Sequence, residues 1–457
     1  MGTLYRKPPP ADLLQDLKIT IHDTFLVFPS QETQRKSIFL SNIDQVLNFD
    51  VQTIHFFPSH KDFPPHVVAE KLKITLEKLL VTYDFLAGRL KMNPETGRLE
   101  IDCNATGAGF AVASSGCGLD EVGDLVYPNP AFGQLVLKSM DILDKEDQPL
   151  CIFQVTSFRC GGFAIGISTN HVTFDGISFK TFLDNLAAVA AGKPLAVIPW
   201  KDRQLLAARS PPRVTFPHPE LLKLNTPLAQ ESNAPVFDVS EEALDFKIFK
   251  LTSSDISNLK EKAKTHNARI SAFNVVTAHI WRCKALSYDI GDDDDDEEEI
   301  GQDLERVSTI LYAVNIRPRL SPPLPASYAG NAVLTAYASA KCKELEEGPL
   351  SRLVELVGEG AKRMSDEYAR SVIDWGEINK GFPHGEFLVS SWWKLGFEEV
   401  EYPWGCPRYS CPLVYHRKDI ILVFPDIVDK NGVNVLVALP SKQMGKFEIL
   451  FHKFLSA

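Results

Sequence analysis

Two kinds of spacing alternate along the chain. Val68, Leu72, Leu76, Leu79, Leu80 and Tyr83 share one face at a period near 3.6. This predicts a helix entered at Pro64-Pro65 and stopped at Gly88. Phe179, Phe182, Leu183, Leu186, Ala187 and Ala190 repeat the spacing, with Gly192 and Pro194 closing the segment. Helical patterns recur near 270–286 and 444–454. Short β-branched and aromatic runs over 151–160, 163–168, 307–314, 420–424 and 433–439 predict strands. Between the two halves, 199–219 carries Pro199, Pro211, Pro212, Pro217 and Pro219 and supports no long apolar face. The pattern predicts an α/β chain with an N-terminal domain over 1–198, a crossover linker over 199–219 and a C-terminal domain over 220–457. Part of 370–400 is expected to pack with the first domain.

Composition narrows the class. The chain has 457 residues, 44% hydrophobic and 23% charged, which excludes disordered, collagen-like and membrane-spanning chains. Lys and Arg number 48 against 59 Asp and Glu, a net charge of −11. A phosphate-backbone binder needs a clustered basic surface, so nucleic acid is not an expected partner. Asp292 to Asp296 and Glu297 to Glu299 form one run of eight acids, and without it the balance is −3. Like charges in a block repel one another, and a disordered acidic loop over about 290–302 is expected. The eight cysteines include no C-x-x-C pair; neither a metal site nor a redox pair is expected, and they read as small buried hydrophobes in a reducing compartment. The N-terminus lacks a signal-peptide core, and no apolar stretch approaches the roughly 18 residues that span a bilayer. The expectation is a cytoplasmic protein without membrane insertion.

One constellation carries candidate chemistry. Ser168-Thr169-Asn170-His171-Val172-Thr173-Phe174-Asp175-Gly176 lies where a buried strand gives way to a helix. Eleven histidines would give roughly 0.7 H-x-x-x-D matches by chance, so the spacing alone decides nothing. Its placement, at the end of a strand, is where α/β proteins put ligands and catalysts. Two readings of Asp175 stand side by side: partner of a catalytic site, or N-cap of the following helix. His171 is likewise either catalytic or a satisfied core histidine. The G-x-S-x-G elbow, the Walker loop, G-x-G-x-x-G and H-E-x-x-H are all missing from the sequence, which weakens hydrolase, nucleotide-binding and metalloprotease readings.

The stretch His171 to Asp175, with Gly176, resembles the H-x-x-x-D-G motif of the plant BAHD acyltransferases. Further blocks resemble that family in order: Leu40-Ser41-Asn42-Ile43-Asp44, Leu86-Ala87-Gly88-Arg89-Leu90, Asn315-Ile316-Arg317-Pro318-Arg319-Leu320, Pro322-Pro323-Leu324-Pro325 and Tyr328-Ala329-Gly330-Asn331. The wider sequence resembles most closely the branch whose transferases attach hydroxycinnamoyl groups to long-chain alcohols or omega-hydroxy acids. The resemblance implies two chloramphenicol-acetyltransferase-like domains of similar size, each a mixed β-sheet with flanking helices, joined by a long crossover loop. It also implies transfer of an acyl group, of aromatic, hydroxycinnamoyl or benzoyl type, from an acyl-CoA thioester to the hydroxyl of a small metabolite or alcohol. The alternatives are an amine N-acyltransferase of the same family and a non-catalytic ligand- or partner-binding relative.

His171 is then the general base, since an unperturbed imidazole is largely neutral near pH 7. By resemblance Asp175 is an orienting residue paired with Arg317 or Arg319, and Ser271 lies near CoA. The second family signature, usually D-F-G-W-G, reads Glu401-Tyr402-Pro403-Trp404-Gly405. By the same resemblance its role is architectural, with Glu401 able to pair with an arginine, or Trp404 N–H serves as an oxyanion donor. An acyl-enzyme on Ser168, Thr173 or Ser178 is the other route. No cofactor is expected to be bound, acyl-CoA being a co-substrate, and a monomer is expected. Deleting Asp292 to Glu299 should leave the acyl-CoA Michaelis constant within a few-fold; a larger rise in steady-state assays would tie the acidic run to donor binding.

Overall fold

The computed structural model describes residues 14–126, 128–224, 243–264, 270–288, 304–413 and 417–456. The acidic run from Asp292 to Glu299 lies outside them. Over the described residues the chain divides into two units. One holds Met1–Leu40, Leu47–Arg203 and Gly396–Val414; the other holds Ser41–Val46, Gln204–Leu395 and Tyr415–Ala457.

In the first unit the strands are β1 (Ile19–Val27), β2 (Lys36–Phe39), β3 (Asp50–Phe57), β4 (Arg89–Met92), β5 (Leu99–Cys103), β6 (Ala108–Ser115), β7 (Cys151–Ser157) and β8 (Phe163–Asn170). The short helix α1 (Asn42–Gln45), between β2 and β3, belongs to the second unit. Helices α2 (Pro65–Thr82) and α3 (Gly176–Ala190) pack on each other, and α2 also packs on β7. The main sheet runs β1-β6-β7-β8-β3, antiparallel except where β6 and β7 run parallel. All eight residues of β8 are buried, which is why that strand reads as a continuous apolar run and not as an alternation. A side chain at Gly166 in β8 would stand 2.0 Å from the Leu135 carbonyl oxygen, so only glycine allows that approach. A smaller sheet, β2-β5-β4, adjoins a 3-10 turn at Asp84–Ala87. Gly88 ends that turn; the α-helix itself stops at Tyr83. The sequence expectation placed the stop five residues late because the apolar face continues through the tighter turn.

The second unit contains β9 (Leu221–Lys223), β10 (Asp245–Leu251), β11 (Val307–Asn315), β12 (Val333–Lys341), β13 (Gly381–Pro383) and β14 (Phe387–Ser391). Next in the chain, β15 (Tyr409–Pro412) returns to the first unit, antiparallel to β3, and closes that sheet as an edge strand. The second unit ends with β16 (Ile420–Pro425) and β17 (Val433–Leu439). Its sheet order is β10-β17-β16-β14-β11-β12, parallel at β16-β14-β11 and antiparallel elsewhere. Its helices are α4 (Ser253–Lys262), α5 (Ala272–Ala285), α6 (Cys342–Glu347), α7 (Leu350–Arg363), α8 (Asp366–Ile378) and α9 (Ser441–Ser456). Both units are mixed β-sheets with helices, as the family resemblance implied.

The proline-rich crossover is held by buried polar bonds. Residues 199–203 belong to the first unit and 204–219 to the second. There Arg209 donates to Asp374 at 2.6 Å and to Glu367 at 2.8 Å, with Asp374 buried. His218 bridges Glu220 (3.1 Å) and Ser371 (2.8 Å), and the Tyr368 hydroxyl donates to Glu220 at 2.7 Å; all four side chains are buried. Polar pairs fix this stretch to α8 without an apolar face, so no periodicity marks it.

Two buried histidines give stability a pH dependence. Burial lowers His55, on β3, to about 3. His279, on α5, is also lowered to about 3, first by burial and then by the charges of Arg282 and Lys262. Unfolded, each would take a proton below about 6.5, whereas the fold refuses it until about pH 3, so stability falls as pH drops through that window. Each histidine contributes up to about 1.4 kcal/mol per pH unit. Denaturant unfolding between pH 7.5 and 5 should show this slope, and His55→Gln should flatten it; an unchanged slope would place the proton uptake elsewhere.

Candidate active site

His171 follows the last residue of β8, and its backbone N–H donates to the Phe49 carbonyl at 2.8 Å. Its ring meets the Phe49 ring edge to face, with centroids 5.2 Å apart. The residue is partly exposed while Nδ1 is a buried atom. One face of the imidazole is therefore fixed in protein and the rest reaches open space, a geometry that suits proton transfer.

The turn that carries it is bonded at nearly every backbone group. Asn170 Oδ1 accepts from Val172 N–H at 3.1 Å, and Asn170 Nδ2 donates to Asn48 at 3.0 Å. The Asn170 carbonyl accepts from Thr173 N–H (3.0 Å) and from the Thr173 hydroxyl (2.6 Å). The Val172 and Thr173 carbonyls accept from the two terminal nitrogens of Arg203. Phe174 packs its ring among Tyr83, Phe85, Phe179 and Phe182. Asp175 is the N-cap of α3, its Oδ1 accepting from Ser178 N–H and the Ser178 hydroxyl, both at 2.9 Å. The capping alternative for Asp175 is thus realised in the structure.

The three candidate nucleophiles are poorly placed. Ser168, Thr173 and Ser178 are buried, and the last two donate to Asn170 O and to Asp175. Burial pushes the Cys151 thiol well up, so it stays protonated and inert. Among the described residues no group of His, Cys, Asp and Glu could hold a metal ion, and no helix is long and apolar enough to cross a membrane. Six of the eight cysteines are buried; Cys160 and Cys406 are exposed.

Trp404 is buried in a ring cluster with Phe57, Phe163, Phe63 and Tyr402, stacked on Tyr402 at 5.1 Å. Phe57 pairs with Phe163 at the start of β8, whereas Asp50 pairs with Asn170 at its end. Seven residues of strand, at about 3.3 Å each, put roughly 23 Å between the Trp404 cluster and His171. There Trp404 packs as a wedge among aromatic rings. Pro403 occupies the second position of a turn in which Gly405 N–H donates to Tyr402 O at 2.9 Å, and Gly405 has φ +98°. Proline suits that position and glycine the left-handed one, so the turn accepts the departure from the usual signature. Glu401 is exposed, and rings and backbone bonds hold the turn beside it. Burial raises the Tyr402 hydroxyl and keeps it neutral.

In the second unit Arg317 is buried and donates to the Tyr328 and Gly330 carbonyls at 3.2 and 3.1 Å. Arg319 donates to Ala361 and Met364 carbonyls. Ser271 is the exposed N-cap of α5 and makes no side-chain capping bond. Arg203 and Asn170, which hold the His171 turn, were missed. Arg203 sits in a stretch with no periodicity, and nothing in the sequence marks the carbonyls it serves.

A family model described as the Transferase family matches residues 17–453. The chain is 61% identical over 456 residues to acyltransferase GLAUCE of Arabidopsis thaliana, covering 99% of each. The chain belongs to the BAHD acyltransferases. A second relative among the BAHD acyltransferases, omega-hydroxypalmitate O-feruloyl transferase of Arabidopsis thaliana, is 32% identical, with 95% of this chain and 93% of that protein covered. The crystal structure of vinorine synthase shares the fold, with a TM-score of 0.71 at 22% identity, over 94% of this chain and 96% of that one.

If Trp404 is architectural, Trp404→Phe should keep kcat within a few-fold, while Trp404→Ala should cost about 3–5 kcal/mol of stability. Loss of 10²-fold or more in kcat for a normally stable Trp404→Phe enzyme would restore the N–H as a catalytic donor.

Proposed function

We propose that this acyltransferase moves an aromatic acyl group, of hydroxycinnamoyl or benzoyl type, from an acyl-CoA thioester to the hydroxyl of a small metabolite or alcohol. His171 is the general base, taking the acceptor proton and returning it to the departing CoA sulfur. The observation that carries this reading is the partly exposed His171 on a closely bonded turn at the end of a buried strand. A thioester is already activated, so a positioned base is the main chemical requirement. Asp175, engaged as the N-cap of α3, orients the turn and does not form a triad. Ser271 stands as a candidate contact for CoA at the start of α5.

Relatives support the donor class. Their names include a fatty alcohol:caffeoyl-CoA acyltransferase of Arabidopsis thaliana, 32% identical over 95% of this chain. A structural neighbour, a TRI101 of F. sporotrichioides with a TM-score of 0.71, was solved with coenzyme A. An amine acceptor is the second reading, supported by an N-hydroxycinnamoyltransferase of Avena sativa, 29% identical over 96% of this chain.

The burial of Ser168, Thr173 and Ser178 favours direct transfer over an acyl-enzyme. Purified protein is to be offered a panel of acyl-CoAs with alcohols and with amines, scored by free thiol and product mass. Ester products are expected, and amide products alone would favour the second reading. His171→Ala should lower kcat by about 10² to 10⁴; turnover near wild type would remove His171 from the mechanism. A rapid-mixing burst of free CoA without acceptor would sink direct transfer.

A further inference from the structure

We infer that Arg203 is a positioning residue for the reaction, aiming His171 by holding the two carbonyls that follow it. This rests on His171 being the base. Arg203 is 2% exposed, and its guanidinium donates through one terminal nitrogen to the Val172 carbonyl and through the other to the Thr173 carbonyl at 2.8 Å. The planar fork fits two adjacent, diverging acceptors; a lysine ammonium on a flexible stem does not.

The guanidinium is itself held in place. It lies over the Phe85 ring, 5.6 Å from the centroid, and Phe85 packs on Phe174 of the same turn at 5.5 Å. Two residues earlier, Lys201 pairs with buried Asp84 at 2.8 Å, and Lys36 pairs with the other carboxylate oxygen. The pair Asp84-Phe85 therefore fixes Lys201 and Arg203 together, and Arg203 passes that registry to Val172 and Thr173. From the other side Asn170 bonds the N–H groups of the same two residues. The turn is clamped on its donors by Asn170 and on its acceptors by Arg203, with His171 at its entrance. Losing the second clamp frees the turn to rotate, and a misplacement of about 1 Å in a reacting group costs on the order of 10²-fold in rate.

The test compares R203K, R203Q, H171A and the double variant R203K/H171A in steady-state assays, with folding checked by thermal melts. R203K is expected to lower kcat about 10- to 100-fold, to leave the acyl-CoA KM within about three-fold, and to fold. R203Q should lie lower still, so that the charged conservative variant partly rescues. In the H171A background R203K should cost less than about three-fold, because no base remains to be aimed. An equal cost in both backgrounds, a change in KM alone, or unaltered kcat in R203K overturns the proposal. Failure of both R203K and R203Q to fold also overturns it, because Arg203 would then be a core element only. If H171A itself turns over near the wild-type rate, the general-base reading fails first, and the experiment separates that result from failure at Arg203.

Discussion

Ending a fully buried strand in a turn leaves peptide groups that water cannot reach, and everything else at this site follows from how they are satisfied. A buried, unpaired N–H or C=O costs about 1–3 kcal/mol, so a turn such as 170–175 exists only with dedicated partners. Here the donors go to Asn170 and Phe49, the acceptors to Arg203 and Thr173, and the helix start to Asp175. The imidazole of His171 is placed as a consequence of those bonds. Asp175 needs no charge relay to matter, because it fixes the first turn of α3 and with it the exit of the loop.

Much of the fold was legible because burial writes itself into spacing. The α2 face from Val68 to Leu80 and the apolar run of β8 are direct projections of what touches the core, and both elements appear where the pattern put them. What the spacing does not carry has a physical cause in each case. The stop at Gly88 was misplaced because a 3-10 turn prolongs an apolar face. The bonds that hold 199–219, such as Arg209 to Asp374 and His218 to Ser371, have no period and leave no mark in the spacing. Among the early strands β2, β4 and β5 escaped notice since they are only four or five residues long.

The candidate site shows the same division. His171 and Asp175 were legible as a motif at a strand–helix junction, since local sequence sets that geometry. Arg203 was not, since its acceptors are main-chain oxygens of residues about thirty positions away and any side chain can precede a carbonyl. Family blocks such as Asn315 to Leu320 could be recognised as text, yet their bonds to the Tyr328, Gly330 and Ala361 carbonyls emerge only from the folded backbone.

The strand pair β3–β8 sets the His171 turn and the second signature at opposite ends. One end of the pair carries His171 beside Phe49; the other carries Phe57 and Phe163 against the Trp404 cluster, on a segment that returns to add β15. His55 fastens that added strand, its Nδ1 lying 2.8 Å from the Ser410 hydroxyl. Glutamate, tyrosine and proline at 401–403 lie on the segment that adds β15, at the Phe57–Phe163 end of the pair. The departure from the usual signature is a change in how the returning segment is pinned, about 23 Å along the strand from His171, where a tight turn and stacked rings do the work that a buried acid would otherwise share.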